Sequence, residues 1–198
     1  MLKVGITGGI GSGKSTISRI LENLGVPVFN SDEEGRIILN EDKQAKIEVM
    51  QIFDKDMYKS NGELDRERMA SVVFNDPRAL NRLNTIVHPR VNEAFHAFCE
   101  LHEQVPYVLK EAAILFESGN YHDLDKVVTV FAPKEDRIKR VMKRDGVGDE
   151  KVRKRMTFQY TDEERNELAD FIILNEEGVD LLPQVMELHE ILLNEKQQ

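Results

Sequence analysis

The chain has 198 residues, a net charge of −9, 40% hydrophobic and 32% charged residues, and a single cysteine, Cys99. That length suits one domain, or one core with small insertions, and leaves ample material for a sizeable core. The composition excludes several classes: no window approaches the roughly 18 apolar residues of a membrane span, one cysteine cannot build a disulfide framework or a Cys-based metal site, and an acidic chain lacks the basic face of a general nucleic-acid binder.

Leu2-Lys3-Val4-Gly5-Ile6 is a short apolar run that ends in glycines, which suits a buried strand. The sequence as given enters this strand at once, so no signal peptide and a cytoplasmic location are expected. Gly8–Thr16 reads GGIGSGKST, and Ser15 to Leu24 then carries Ile17, Ile20, Leu21 and Leu24 at helical spacing before the stop at Gly25. Val26–Phe29 reads as a second strand. Glu33 to Phe53 looks helical, in two pieces broken near Asn40.

Further helices are expected over Arg66–Phe74, Pro77–Val87 and Val91–Gln104, separated by turn signals at Asn75-Asp76-Pro77 and His88-Pro89. Pro106–Leu109 is a third strand and Lys126–Phe131 a fourth. Pro133 opens a helix that runs to Arg144, in the first turn where a missing N–H costs nothing. Phe171–Leu174 is a fifth strand, and Val179–Leu193 a closing helix. Short apolar strands alternating with helices predict an α/β fold around a mainly parallel five-stranded sheet, with the strandless stretch after the second strand packed beside it as an insertion.

Gly8-x-x-x-x-Gly13-Lys14-Ser15 satisfies the phosphate-loop pattern. Gly9, Gly11 and Gly13 let the backbone approach phosphates, so that successive N–H groups, with Ser12 and Thr16 among them, form an anion nest at a helix N-terminus. Lys14 is expected to reach the β- and γ-phosphates of ATP, and the Ser15 hydroxyl to ligate Mg²⁺. The loop does not say what becomes of the γ-phosphate. A GTP switch would carry an [NT]-K-x-D guanine motif, and none occurs; Asp32-Glu33-Glu34-Gly35 fits D-x-x-G but comes early. A motor ATPase would show four apolar residues followed by Asp, and Val108-Leu109-Lys110-Glu111 matches poorly.

Two features favour a kinase. Asp32 follows the second strand, on the side of a parallel sheet where ligands collect, and a carboxylate there can take the proton of an attacking hydroxyl. The competing reading is a helix cap, since Ser31-Asp32 precedes a helical stretch. Between Lys134 and Arg155 stand ten Lys and Arg against five Asp and Glu, a cationic island in an acidic chain. Arg137, Arg140 and Arg144 share one helical face, and Asp145–Asp149 then breaks the helix as a glycine hinge would. Helix, hinge and a second basic limb from Lys151 to Arg155 make a lid that excludes water and stabilises phosphoryl-transfer charge. A solvated face of mixed charge is the plainer alternative.

Taken together, the loop, Asp32 with Arg36, Leu64-Asp65-Arg66, Ile86-Val87-His88-Pro89, Leu115–Gly119, Lys139-Arg140, Arg144-Asp145, Arg155-Met156 with Gln159, and Ala169-Asp170 followed by Asn175 resemble the bacterial dephospho-coenzyme A kinases over nearly the whole chain. The resemblance implies transfer of the ATP γ-phosphate, with Mg²⁺, to the ribose 3′-hydroxyl of dephospho-CoA, the last step of CoA biosynthesis. It implies a P-loop kinase core over about 1–32, 105–136 and 166–198, a helical acceptor-binding insertion over 33–104 and a lid over 137–165. It makes Asp32 the general base, Arg140 and Arg144 phosphate-charge partners, and Asn175 a neighbour of adenine. Arg36, Arg66, His88 and Glu117 would surround the acceptor.

Two departures touch the metal. Asn30-Ser31-Asp32 stands where the family often has Asp-Ala-Asp, and Glu111 stands where the third strand often ends in Asp. The expected partners are ATP and dephospho-CoA, with no nucleic acid or membrane, in a monomer or small homo-oligomer. A kinase for another small hydroxyl or nucleoside monophosphate remains the alternative, as does a nucleotide-dependent switch.

Overall fold

The computed structural model describes residues 1–73 and 75–195. Phe74, the expected end of one helix, and residues 196–198 of the expected core lie outside them. The described chain divides into two compact units, residues 31–98 and the remainder.

In the first unit, five strands among the described residues form one parallel sheet: β1 (Leu2–Thr7), β2 (Val28–Asn30), β3 (Tyr107–Glu111), β4 (Lys126–Phe131) and β5 (Phe171–Leu174). Their order is β2-β3-β1-β4-β5. Because all run the same way, their carboxyl ends share one edge. Ile6 pairs with Glu111, Glu111 with Asn30, and Thr7 with Thr129, so the chain leaves β1, β2 and β3 side by side. β2 begins two residues later than expected. Pro27 precedes it and gives only its carbonyl, which accepts from Leu109 N–H; proline has no N–H for the ladder.

Val4, Ile6, Tyr107, Leu109, Val128, Val130 and Ile173 present one sheet face to Ile17 and Leu21 of α1 (Lys14–Asn23) and Val185, Leu188 and Leu192 of α9 (Leu181–Glu195). Successive strand residues face opposite ways, so a second cluster forms from Leu115, Phe116, Val127 and their neighbours. Gly5 makes room there: a Cβ would stand 2.6 Å from Leu124 Cδ1 and 2.7 Å from Leu115 Cδ2.

The basic island folds as α6 (Lys134–Asp145) and α7 (Asp149–Met156). Gly146 ends α6 in the left-handed region at φ 65°, its N–H on Met142 C=O, which is what glycine supplies at a helix end. Ile138, Val141 and Val152 pack these two helices together, with Ile10 of the phosphate loop against them. The sequence reading lacks α8 (Asp162–Leu168), a seven-residue helix defined by a Thr161–Glu164 capping box rather than by an apolar stripe.

The second unit is helical: α2 (Ser31–Glu41), α3 (Lys43–Phe53), α4 (Arg66–Val73) and most of α5 (Pro77–Leu101), with a 3-10 turn at Lys55–Met57 and one isolated bridge between Tyr58 and Leu64. It overlaps the insertion expected over 33–104. The break expected near Asn40 falls at Asp42, whose carboxylate caps α3 at Ala45 N–H. The break expected at His88-Pro89 is absent, because α5 runs through Pro89 as one helix. Proline removes one helical hydrogen bond. Burial of Ala79, Ile86, Val91 and Phe95 and the paired Arg90–Glu48 hydrogen bonds at 2.9 and 3.1 Å hold both sides of it.

Candidate active site

The loop after β1 turns on itself through Ser12 N–H to Gly9 C=O and delivers the chain into α1. Gly11 and Gly13 stand at φ 82° and 99°, conformations that residues with a Cβ rarely adopt. Gly13 also has no space for one, since a Cβ would lie 2.1 Å from Asn175 Nδ2. The Ile10 and Ser12 N–H groups are already bonded, to Gln159 Oε1 and Gly9 C=O. Beyond them α1 opens at Lys14, and a helix N-terminus is where backbone amides can receive an anion. Gly11, Gly13, Lys14, Ser15 and Thr16 line a cleft of about 240 Å³ with Arg140, Val141 and Arg144 of α6. Five of the residues expected at the donor, but not Gly9, Ser12 or Asn175, thus share one cleft with two of the expected lid arginines.

In sequence Glu111 stands out as a departure at the end of the third strand and as the last residue of a poor motor-ATPase match. It ends β3 with 4% of its surface exposed, and its Oε1 accepts the Ser15 hydroxyl at 2.6 Å. A hydroxyl and a carboxylate are hard oxygen donors of the kind Mg²⁺ takes, one or two from protein and the rest from phosphates and water. The residues present therefore fit Mg²⁺, although among the described residues no cluster of three acidic, His or Cys side chains could hold a metal alone. Lys110 hid this carboxylate by interrupting the apolar run. It is itself only 1% exposed, and that burial pulls its ammonium below the usual lysine range, with Asp123 opposing the shift.

Arg140 donates to Asn175 C=O at 3.1 Å and reaches Gly11 and Ser12 C=O at 3.5 Å. The Asn175 amide donates to Ser12 C=O at 2.7 Å. Asn175 thus adjoins the loop itself. Arg144 is held by Asp145 at 2.7 Å, and Arg155 joins the same carboxylate at 2.8 Å. Its bond to Arg144, seconded by Arg155, keeps the Asp145 carboxyl below the usual carboxylate range.

Arg137 departs from the expected common face. It is buried, with its Nε on Ala132 C=O and its Nη2 on Asp162 Oδ2 at 2.6 Å, while Arg165, also buried, bonds the other Asp162 oxygen. Burial lowers the pKa of the Arg137 guanidinium, Asp162 raises it and Arg165 lowers it further. Both guanidiniums press on Gly9, where a Cβ would stand 1.8 Å from Arg137 Nη1 and 3.0 Å from Arg165 Nη2. Two buried cations sharing one carboxylate leave a fixed positive charge against the phosphate loop. No local sequence pattern announces this cluster, because Arg137 and Arg165 lie on different helices.

Glu117, expected near the acceptor, accepts Tyr160 N–H at 2.7 Å through Oε1, while its Oε2 is buried without a partner. In the second unit, Asp32 is exposed in the first turn of α2, two residues beyond the last residue of β2. Arg36 forms an exposed ion pair with Glu33 at 2.5 Å, Arg66 lines a cavity of about 540 Å³ with Asn40, Lys59 and Asp65, and His88 is half-buried in α5.

Among the described residues no helix is long and apolar enough to cross a membrane. A family model described as dephospho-CoA kinase matches residues 2–180. The dephospho-CoA kinase of Bacteroides fragilis is 38% identical over 187 residues, 94% of this chain and 91% of that protein. Among solved structures, a Thermus thermophilus protein aligns with a TM-score of 0.81 at 33% identity, over 98% of this chain and 97% of that one. The dephospho-CoA kinase of Campylobacter jejuni aligns at 0.67 and 28% identity, with the same coverages.

Proposed function

The chain belongs to the dephospho-CoA kinase family, and from that premise we propose that it transfers the γ-phosphate of ATP to the ribose 3′-hydroxyl of dephospho-CoA, giving coenzyme A and ADP. The observation that carries the chemistry is the cleft where Lys14, Ser15, Arg140 and Arg144 meet, with Glu111 bonded to the Ser15 hydroxyl. Phosphoryl transfer leaves a protein little covalent work, so positioning and electrostatics account for catalysis. The α1 amides and Lys14 hold the β- and γ-phosphates, and Arg140 and Arg144 of α6 receive charge as the bond to the leaving oxygen breaks.

Ser15 and Glu111 are the residues that would hold Mg²⁺, whose chemistry is to neutralise phosphate charge. Asp32 serves as general base, drawing the proton from the attacking hydroxyl. Its support is connectivity: the carboxylate stands two residues past the carboxyl end of β2, and ligands of parallel sheets collect beyond such strand ends. Arg36, Arg66, His88 and Glu117 are proposed on the acceptor side, and Asn175 beside the nucleotide. The helical insertion binds the acceptor and α6–α7 form the lid. The expected cytoplasmic location and the monomer or small homo-oligomer stay with this reading. No observation favours another acceptor or a nucleotide switch.

The product tests the proposal. With ATP and Mg²⁺, dephospho-CoA should gain one phosphate, and phosphorus NMR should place it on the 3′ oxygen. A phosphate on the 2′ oxygen would overturn the assigned acceptor position.

A further inference from the structure

Gln159 has no assigned part in phosphate transfer, yet its carboxamide joins two strand ends of the site. Its Oε1 accepts Ile10 N–H at 2.8 Å, and its Nε2 donates to Ala113 C=O at 2.8 Å. Ile10 lies in the phosphate loop beyond β1, and Ala113 lies two residues past Glu111 on the adjacent strand. The Ser15–Glu111 hydrogen bond ties the same two segments at their other point.

The backbone carrying Gln159 is itself held. Gln159 N–H bonds Met156 C=O at 3.1 Å, Tyr160 N–H bonds Glu117 at 2.7 Å, and Tyr160 C=O accepts from buried Arg165. The loop end is held as well, because the Ile10 side chain packs with Ile138, Val141 and Val152. A side chain fixed at its base and bonded at both polar atoms has few alternative rotamers, which is what precise placement of a neighbour needs.

We propose that Gln159 is a positioning residue for phosphoryl transfer: it fixes the first half of the phosphate loop against the turn that follows Glu111, so that the phosphate cradle and the metal-side carboxylate keep one spacing. Gln159 meets no phosphate. It acts through Ile10 and Ala113, and it takes up the Ile10 N–H, which would otherwise be an unbonded donor inside the loop. Because Gln159 stands three residues past the end of α7, with its N–H on Met156 C=O, it also makes this spacing depend on the seating of the lid helices.

The inference rests on the kinase reading above, and one set of measurements separates the two. Gln159→Met keeps the side-chain length and removes both bonds. Gln159→Asn keeps the amide but is one methylene too short to span both partners. A displacement of about 1 Å can cost about 100-fold in rate, so both variants should lose 10- to 100-fold in kcat. ADP affinity and the KM for ATP should stay within about threefold, and the melting temperature within a few degrees. Either variant folding normally with kcat within twofold of wild type would overturn the inference. So would a loss of ADP affinity as large as the loss of rate, which would make Gln159 part of nucleotide binding. If Gln159→Met fails to fold, Gln159→Asn decides. Wild-type turnover of dephospho-CoA in the same assay checks the kinase reading separately.

Discussion

A carboxylate at the end of a buried parallel strand is costly unless something bonds it. Glu111 is bonded by a serine of the phosphate loop rather than by an arginine or lysine, which keeps its charge available to a cation. Glu111→Gln keeps size and hydrogen bonding but removes the charge. Its half-saturating Mg²⁺ concentration should therefore rise about tenfold or more, with little change in ADP binding measured without metal. An unchanged Mg²⁺ requirement would remove Glu111 from the metal site. Asp32 is a different case, because a base acts only in the chemical step. Asp32→Asn should lower kcat about 10²- to 10⁴-fold while ATP binding stays near wild type, and equal turnover in the two proteins would leave Asp32 as no more than an acidic side chain in the first turn of α2, which begins at Ser31 and so does not use it as a cap. Lys14 and Ser15 could be read from spacing alone, because the loop needs those residue types in that order. Glu111 could not, because Lys110 breaks the apolar run and only the register of β3 against β1 shows what the carboxylate faces.

The basic helices combine a solvated face of mixed charge, where exposed Arg153 pairs with Glu135 and Asp149, with arginines drawn inward. On α6, Arg140 and Arg144 line the cleft, but Arg137 turns under the loop to share Asp162 with Arg165. Helical spacing places Arg137 beside the other two and gives no hint that burial will claim it. Removing one partner of a buried ion pair costs about 3–5 kcal/mol. Asp162→Asn should therefore lower the melting temperature by roughly 10 °C, taking 2–4 °C per kcal/mol for a chain of this size, and calorimetry would show it. A shift under about 2 °C would mean that the two guanidiniums do not depend on Asp162. The strands were legible because their signal, a short apolar run, is local; the break between α2 and α3 was expected near Asn40 and falls at Asp42, whose carboxylate caps α3. The continuity of α5 through Pro89 was not legible, since the contacts that carry a helix past a proline come from residues distant in sequence, such as Glu48 on Arg90.

At the scale of the molecule, alternation of strand and helix was enough to expect a parallel sheet, and the five strands run parallel in one sheet. Strand order decides function here, because β1 between β3 and β4 puts Ser15 beside Glu111. That order lies in pairings between residues about a hundred positions apart and leaves no local trace. The helical unit of residues 31–98 lies outside the phosphate loop, and the choice of acceptor is proposed to rest with it. The most direct test supplies the protein with ATP and Mg²⁺ and offers dephospho-CoA, AMP, CMP and shikimate in parallel, following ADP release and phosphorylated product. Phosphate should pass to dephospho-CoA, with the other acceptors at the background rate of ATP hydrolysis. Transfer to another acceptor in preference, or slow hydrolysis that no acceptor accelerates, would contradict the assignment.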